Sequence, residues 1–349
     1  MKPPIFIVGA NRSGTTLLRL ILNAHSNIAI PEELQYLQSR PAGIPIEQWR
    51  NPGIDKDRYF RYVTRTLKQR EAMLPGLDID ALRDEILQTG QGDFRTPYVV
   101  MLENWMRLQG KKRFGEKTPG NLFYADILQE WFPGAKFIYV VRDPRAGVSS
   151  MMETSFFPGD LVFNAMSRRK FATEGRNRLE RAVPTDQRVT IRFEDLVNKP
   201  EETVKALCEF IEEEFEPEML RFHKNASKFM SPQASSDFNA AATRPIAPQI
   251  AEKWRQKLNR HQIAIIEHIC AGEMQEFGYE PDGYPLRLRD RAEIMVKTLY
   301  WNVQCWRMRK ARHYIIRYKM FSGLRNRSKK FLRALAKPTT TFGYEPSSK

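Results

Sequence analysis

The chain has 349 residues, 42% hydrophobic and 11% aromatic, enough to bury a sizeable core and to exclude a wholly disordered polymer. Its 56 Lys+Arg against 41 Asp+Glu give a formal charge of +15. Its three cysteines, Cys208, Cys270 and Cys305, are too few and too scattered for a disulfide framework or a zinc site. That usage suits a reducing compartment. No apolar run approaches the roughly 18 residues of a membrane span. Met1-Lys2-Pro3-Pro4 leads straight into the short run Ile5–Val8, which has no signal-peptide core. The expectation is a cytoplasmic protein.

The charge is unevenly spread. Residues 286–349 hold 17 Lys+Arg and 3 Asp+Glu, whereas residues 1–285 hold 39 and 38. Two parts are therefore expected: a near-neutral body over 1–285 and a basic extension over 286–349.

In chain order, Ile5–Val8 reads as a strand buried on both faces and ends at Gly9. Thr15–Ala24 follows as a helix with Leu17, Leu18, Ile21 and Leu22 on its apolar side. Helices are expected over 56–71, 78–89, 97–109, 120–131, 160–182, 201–213, 249–258 and 261–276. Lys136–Val141 is a second buried strand; Arg142-Asp143-Pro144 after it supplies a loop, an N-cap and a proline for a first helical turn. Arg188–Phe193 alternates and reads as a third strand, and Ser227–Pro248 as a long loop. Strands joined by helical crossovers give an α/β class with a parallel sheet flanked by helices.

The densest local signal is Gly9-Ala-Asn-Arg12-Ser13-Gly14-Thr15-Thr16, between a strand and a helix. Backbone N–H groups of such a loop and the positive helix end cradle a phosphate. The spacing is that of the triphosphatase loop, G-x-x-x-x-G-K-[ST], with Thr15 in place of its lysine. Arg12 offers positive charge instead.

Gly9–Thr16 and its continuation to Glu32 and Glu33 resemble the sulfotransferases, particularly the branch containing the tyrosylprotein enzymes. Phe137-Ile-Tyr-Val-Val-Arg142-Asp-Pro-Arg-Ala-Gly-Val-Ser-Ser150 matches a second signature of that family, and Arg192–Val197 and Lys253-Trp254 agree with it. The resemblance covers residues 4 to 280 as islands; 34–111 and the extension match nothing recognisable. It implies a P-loop-like fold and the co-substrate 3′-phosphoadenosine 5′-phosphosulfate (PAPS), with no metal. Arg12, Ser13, Gly14, Thr15 and Thr16 would then hold the 5′-phosphosulfate, Arg142 and Ser150 the 3′-phosphate, and Lys253 would close over the nucleotide. It also implies Glu33 as the base, with Glu32 as its fallback, and Lys117 and Arg12 near the transferred group. His25, one helix from the loop, is expected to be structural.

The resemblance points to a peptide tyrosine, or to a carbohydrate or lipid hydroxyl, as acceptor; the second is favoured because the anchor and disulfides of the animal Golgi enzymes are missing. A P-loop small-molecule kinase and a non-catalytic polyanion-binding protein acting through the extension are the competing classes, and a homodimer stays open.

Within the extension, Met295, Leu299, Val303 and Trp306 follow helical spacing, as do Tyr314, Tyr318 and Phe321, with Arg307, Arg309, Lys310, Arg312, Arg317 and Lys319 between them. A basic amphipathic helix is expected. Its partner is either the body or an anionic membrane surface met over 295–335, which would make the protein peripheral on a membrane; nucleic acid is the least favoured partner.

Overall fold

The computed structural model describes residues 2–38, 55–90, 92–154, 157, 159–230 and 243–303. Five strands form one sheet: β1 (Ile5–Gly9), β2 (Ile28–Ala29), β3 (Arg113–Lys117), β4 (Lys136–Val141) and β5 (Arg188–Arg192). Their order is β2-β3-β1-β4-β5 and every pairing is parallel. Ile7 pairs with Lys117 on one side and with Ile138 on the other. The chain leaves β1 towards β2, then crosses back to β4, so the crossovers diverge about β1. In such sheets ligands bind outside the carboxyl ends of the strands at that point.

Alternation along the strands builds two cores. Phe6, Val8, Phe114, Phe137 and Tyr139 face one layer, with α4 (Arg95–Leu108) and α5 (Ala125–Trp131). Ile5, Ile7, Ile138, Val140 and Ile191 face the other, with α1 (Thr15–Asn23) and α10 (Pro200–Ile211). β1 and β4 are buried on both faces, as their unbroken apolar runs predict. A third cluster joins α6 (Pro144–Met152), α7 (Leu161–Lys170) and α11 (Arg260–Ile269) around Trp254. The remaining helices are α2 (Lys56–Lys68), α3 (Ile79–Thr89), α8 (Arg176–Ala182), α9 (Phe193–Asn198), α12 (Ala271–Glu276) and α13, which spans 288–303.

Several elements differ from expectation for local reasons. The helix expected over 160–182 is interrupted by a π turn at Phe171–Gly175, where a side chain at Gly175 would meet Leu122. The helix expected over 120–131 opens as the 3-10 turn Pro119–Tyr124. The one over 249–258 is two short 3-10 turns, Pro248–Ile250 and Lys253–Gln256, and 261–276 breaks at Cys270. Of the expected loop 227–248, residues 231–242 lie outside the described residues, as does the proposed helix beyond 303 with Trp306, Tyr314, Tyr318 and Phe321. Among the described residues no helix is long and apolar enough to cross a membrane.

Candidate active site

The loop after β1 turns on two left-handed residues, Arg12 (φ 64°) and Gly14 (φ 95°). Gly14 is the N-cap of α1, with no side-chain cap, and the first turn of that helix carries no acidic residue. The leading N–H groups of α1 therefore lack the partners a helix start needs, which suits an anion. A side chain at Gly14 would collide with the Phe193 ring, so glycine serves both the turn and the close approach.

Arg12 and Ser150 meet: Arg12 Nε donates to Ser150 Oγ at 3.0 Å. Arg142, just past β4, donates through Nη1 to the Arg12 carbonyl at 3.2 Å and through Nη2 to the Ile250 carbonyl at 3.1 Å. Its guanidinium lies 4.2 Å from the Phe193 ring centre, while Nε is buried without a hydrogen-bond partner among the described residues. Burial pushes the Arg142 pKa down to about 10, against the pull of Glu194, so the group stays cationic at neutral pH. Arg12 is likewise lowered by burial, with Glu33 and Glu153 opposing.

On the other side of β1, Lys117 ends β3 almost fully buried. Its Nζ donates to Glu33 and, at 3.3 Å, to Thr16 Oγ1. Burial lowers its pKa and the Glu33 carboxylate opposes that. The segment bearing Glu32 and Glu33 is tied to α1: Asn23 exchanges two hydrogen bonds with Ile30, at 2.7 and 2.9 Å. The buried Arg19 adds a longer contact to the Ile30 carbonyl at 3.4 Å.

Behind this segment lies Glu116, fully buried on β3. It accepts from the Thr118 hydroxyl and from Asn121 Nδ2. Burial raises its pKa to about 7, with the Thr118 hydrogen bond and Lys117 opposing and the Glu33 charge adding to the rise. Thr118 Oγ1 in turn accepts the Gln35 N–H at 3.2 Å, two residues after Glu33.

The buried Arg168 of α7 connects the loop after β1 to the segment after β4. It donates to Ser13 Oγ at 3.3 Å, to the Arg142 carbonyl, and to Glu273 at 2.8 Å. The arrangement thus brings together Arg12, Ser13, Thr16, Glu33, Lys117, Arg142 and Ser150. Thr15 is buried at the start of α1, and Glu32 is half-buried beside Glu33. Lys253 is exposed on its 3-10 turn; that segment reaches Arg142 through the Ile250 carbonyl instead. Trp254 beside it is buried, with the Arg145 and Arg255 guanidiniums 4.3 and 4.4 Å from its ring. His25 is buried away from the loop, accepting the Asn27 N–H at Nδ1 while Nε2 meets the Glu214 carbonyl at 2.9 Å.

Sequence reasoning missed Arg19, Glu116, Thr118 and Arg168. Arg19 carried a signal, being a lone charge inside Leu17-Leu-Arg-Leu-Ile-Leu22. The others carried none, because long-range contacts alone bury them.

A strand-loop-helix turn and convergent cations at the carboxyl edge of a parallel sheet define a P-loop-like α/β protein. The chain belongs to the sulfotransferase family, whose profile matches residues 3–217. It is similar to protein-tyrosine sulfotransferase 1 of Danio rerio, 26% identical over 294 residues that span 81% of this chain and 74% of that protein. Protein-tyrosine sulfotransferase A of Caenorhabditis elegans is 24% identical over 304 residues, spanning 85% and 72%. In fold it resembles the sulfotransferase domain of the Synechococcus PCC 7002 olefin synthase. That likeness has a TM-score of 0.54 at 22% identity, covering 80% of this chain and 97% of that one.

Proposed function

We propose that the protein transfers the sulfuryl group of PAPS to a hydroxyl-bearing acceptor. The observation that carries this reading is the Lys117 bridge, which joins Glu33 to Thr16 on the first turn of the phosphate loop. One ammonium thereby touches both the candidate base and the candidate donor site. An ammonium has three donors; two serve Glu33 and Thr16, and the third is assigned to a sulfuryl or bridging oxygen.

The loop N–H groups and Arg12 bind the 5′-phosphosulfate, and Arg142 with Ser150 binds the 3′-phosphate. Glu33 takes the proton from the acceptor hydroxyl as its oxygen forms a bond to sulfur. The bond from sulfur to the bridging oxygen breaks, and its electron pair remains on the departing phosphate. Lys117 and Arg12 stabilise that charge. Glu32 is the reserve base. The names of the relatives make a peptide tyrosine the first acceptor to test, beside carbohydrate and lipid hydroxyls.

Transfer of radiolabelled sulfate from PAPS to peptide, glycan and glycolipid acceptors tests the activity. Glu33→Gln and Lys117→Ala should each lower turnover by about a hundredfold or more, with binding of adenosine 3′,5′-bisphosphate (PAP) kept in the first. Near-normal turnover in both folded variants would remove these roles. Stabilisation by ATP with magnesium, and none by PAPS, would turn the reading to a kinase.

A further inference from the structure

Eight large apolar side chains stand exposed among the described residues, and six of them belong to α13: Leu288, Met295, Val296, Leu299, Tyr300 and Val303. They are not scattered. At helical spacing Leu288, Met295, Val296, Leu299 and Val303 form one stripe about 100° wide, with Tyr300 at its edge. Within it Leu288, Met295 and Leu299 are 85%, 68% and 66% exposed.

The opposite side of α13 is occupied. Trp301 stacks on Phe163 of α7 at 6.0 Å between ring centres, and Lys297 pairs with Asp160 at the start of α7. Ile294 joins the same cluster around Trp254. The helix is therefore fixed to the body by one face while it presents an apolar stripe on the other. Arg287, Arg289 and Arg291 are exposed in and before its first turn. Residues 304–349, which continue directly from it, hold 13 Lys+Arg and a single acidic residue.

We propose that α13 docks the protein on an anionic lipid surface, with this stripe set into the headgroup boundary and the exposed arginines against the lipid charge. An apolar stripe rimmed by cations is the pattern such surfaces take up. The charge also argues against a second copy as occupant. A second copy on the stripe would bring another chain of the same +15 formal charge against it, and like charges repel. A lipid surface meets the apolar stripe and the positive rim together.

The test is co-sedimentation of the full chain with vesicles of phosphatidylcholine alone and of phosphatidylcholine mixed with phosphatidylserine. Binding is expected to the mixed vesicles, weakening as salt rises. The variant carrying Leu299→Asp and Val303→Asp changes only outward-facing side chains, so its melting curve should match the parent. Its partition onto mixed vesicles should fall by about tenfold or more. Arg289→Glu with Arg291→Glu should lower it as well. Absence of binding to either vesicle overturns the proposal, as does full binding by the Leu299→Asp, Val303→Asp variant, which would assign attachment to the basic segment alone. A dimer in solution that these two substitutions dissociate, without vesicle binding by the parent, would overturn it in favour of a second copy.

Discussion

The Thr118 hydroxyl accepts the Gln35 N–H at 3.2 Å and donates its own O–H to Glu116. Gln35 is left-handed, with φ 47°, an uncommon state for a side chain of this kind. The hydrogen bond thus holds a strained turn two residues from Glu33 against β3. Thr118→Val keeps the shape and removes the hydroxyl, leaving polar groups without partners at a cost of about 1–3 kcal/mol. Urea denaturation should show that loss. If the turn aims Glu33, turnover should drop while PAP affinity holds, and Thr118→Ser should restore both. Equal behaviour of the Val and Ser variants would remove the role.

Glu116 gives a pH signature. Its folded-state pKa, about 7, lies above its ordinary 4.5 because burial disfavours the charge. A carboxyl raised in this way contributes most below the unfolded value and loses that contribution as pH rises through the folded one. The protein should therefore lose stability between pH 4.5 and 7, by roughly 3 kcal/mol from this group. Glu273, raised in the same direction by burial, adds to the trend. Glu116→Gln should flatten the profile when denaturation is followed across that window. An unchanged slope would show that the carboxyl is solvated.

Arg168 and Glu273 form an ion pair in which both side chains are buried. Arg168→Met strands the carboxylate, and breaking such a pair from one side costs about 3–5 kcal/mol. Arg168→Met together with Glu273→Met removes both charges and should recover most of that stability. PAP affinity should not recover, because Arg168 also donates to Ser13 Oγ and the Arg142 carbonyl. Calorimetric titration of the stable double variant separates the two effects; full affinity would make the pair purely structural.

How the sequence announces these parts differs from strand to strand. Ile5–Val8 and Lys136–Val141 are unbroken apolar runs, so both strands were legible, with Gly9–Thr16 and Arg142 marking the segments that follow them. β3 was not. Its residues Arg113-Phe-Gly-Glu-Lys117 are all buried, yet three are charged and resemble a surface segment. The strand can lie inside the sheet because ion pairs and hydrogen bonds satisfy its charged residues: Arg113 meets Glu213, Glu116 meets Thr118, and Lys117 meets Glu33. Those partners lie far along the chain or on irregular turns, where periodicity carries no signal. Two-residue β2 is too short for any pattern. Lys117 itself was recoverable only through resemblance, and Arg168 by neither route.

Phe193 ties the loop after β1 to the segment after β4, and Gly14 tests that link. A Cβ at Gly14 would stand 2.2 Å from the ring's Cδ2, and the same ring lies beneath the Arg142 guanidinium. Gly14→Ala thus meets two obstacles, a φ of 95° that side chains avoid and a ring that cannot move without disturbing Arg142. Left-handed geometry alone costs roughly 1–2 kcal/mol for a residue with a side chain. PAP affinity should fall by about tenfold or more, since the groups proposed for the two phosphates shift together. Arg142→Ala leaves the loop unstrained and should weaken PAP similarly, and Arg142→Lys should not rescue it, because an ammonium cannot lie flat on the ring while reaching two carbonyls. Titration of PAP into the three variants decides. Full affinity in Gly14→Ala with loss in Arg142→Ala would uncouple the arms, and full affinity in all three would place the nucleotide elsewhere.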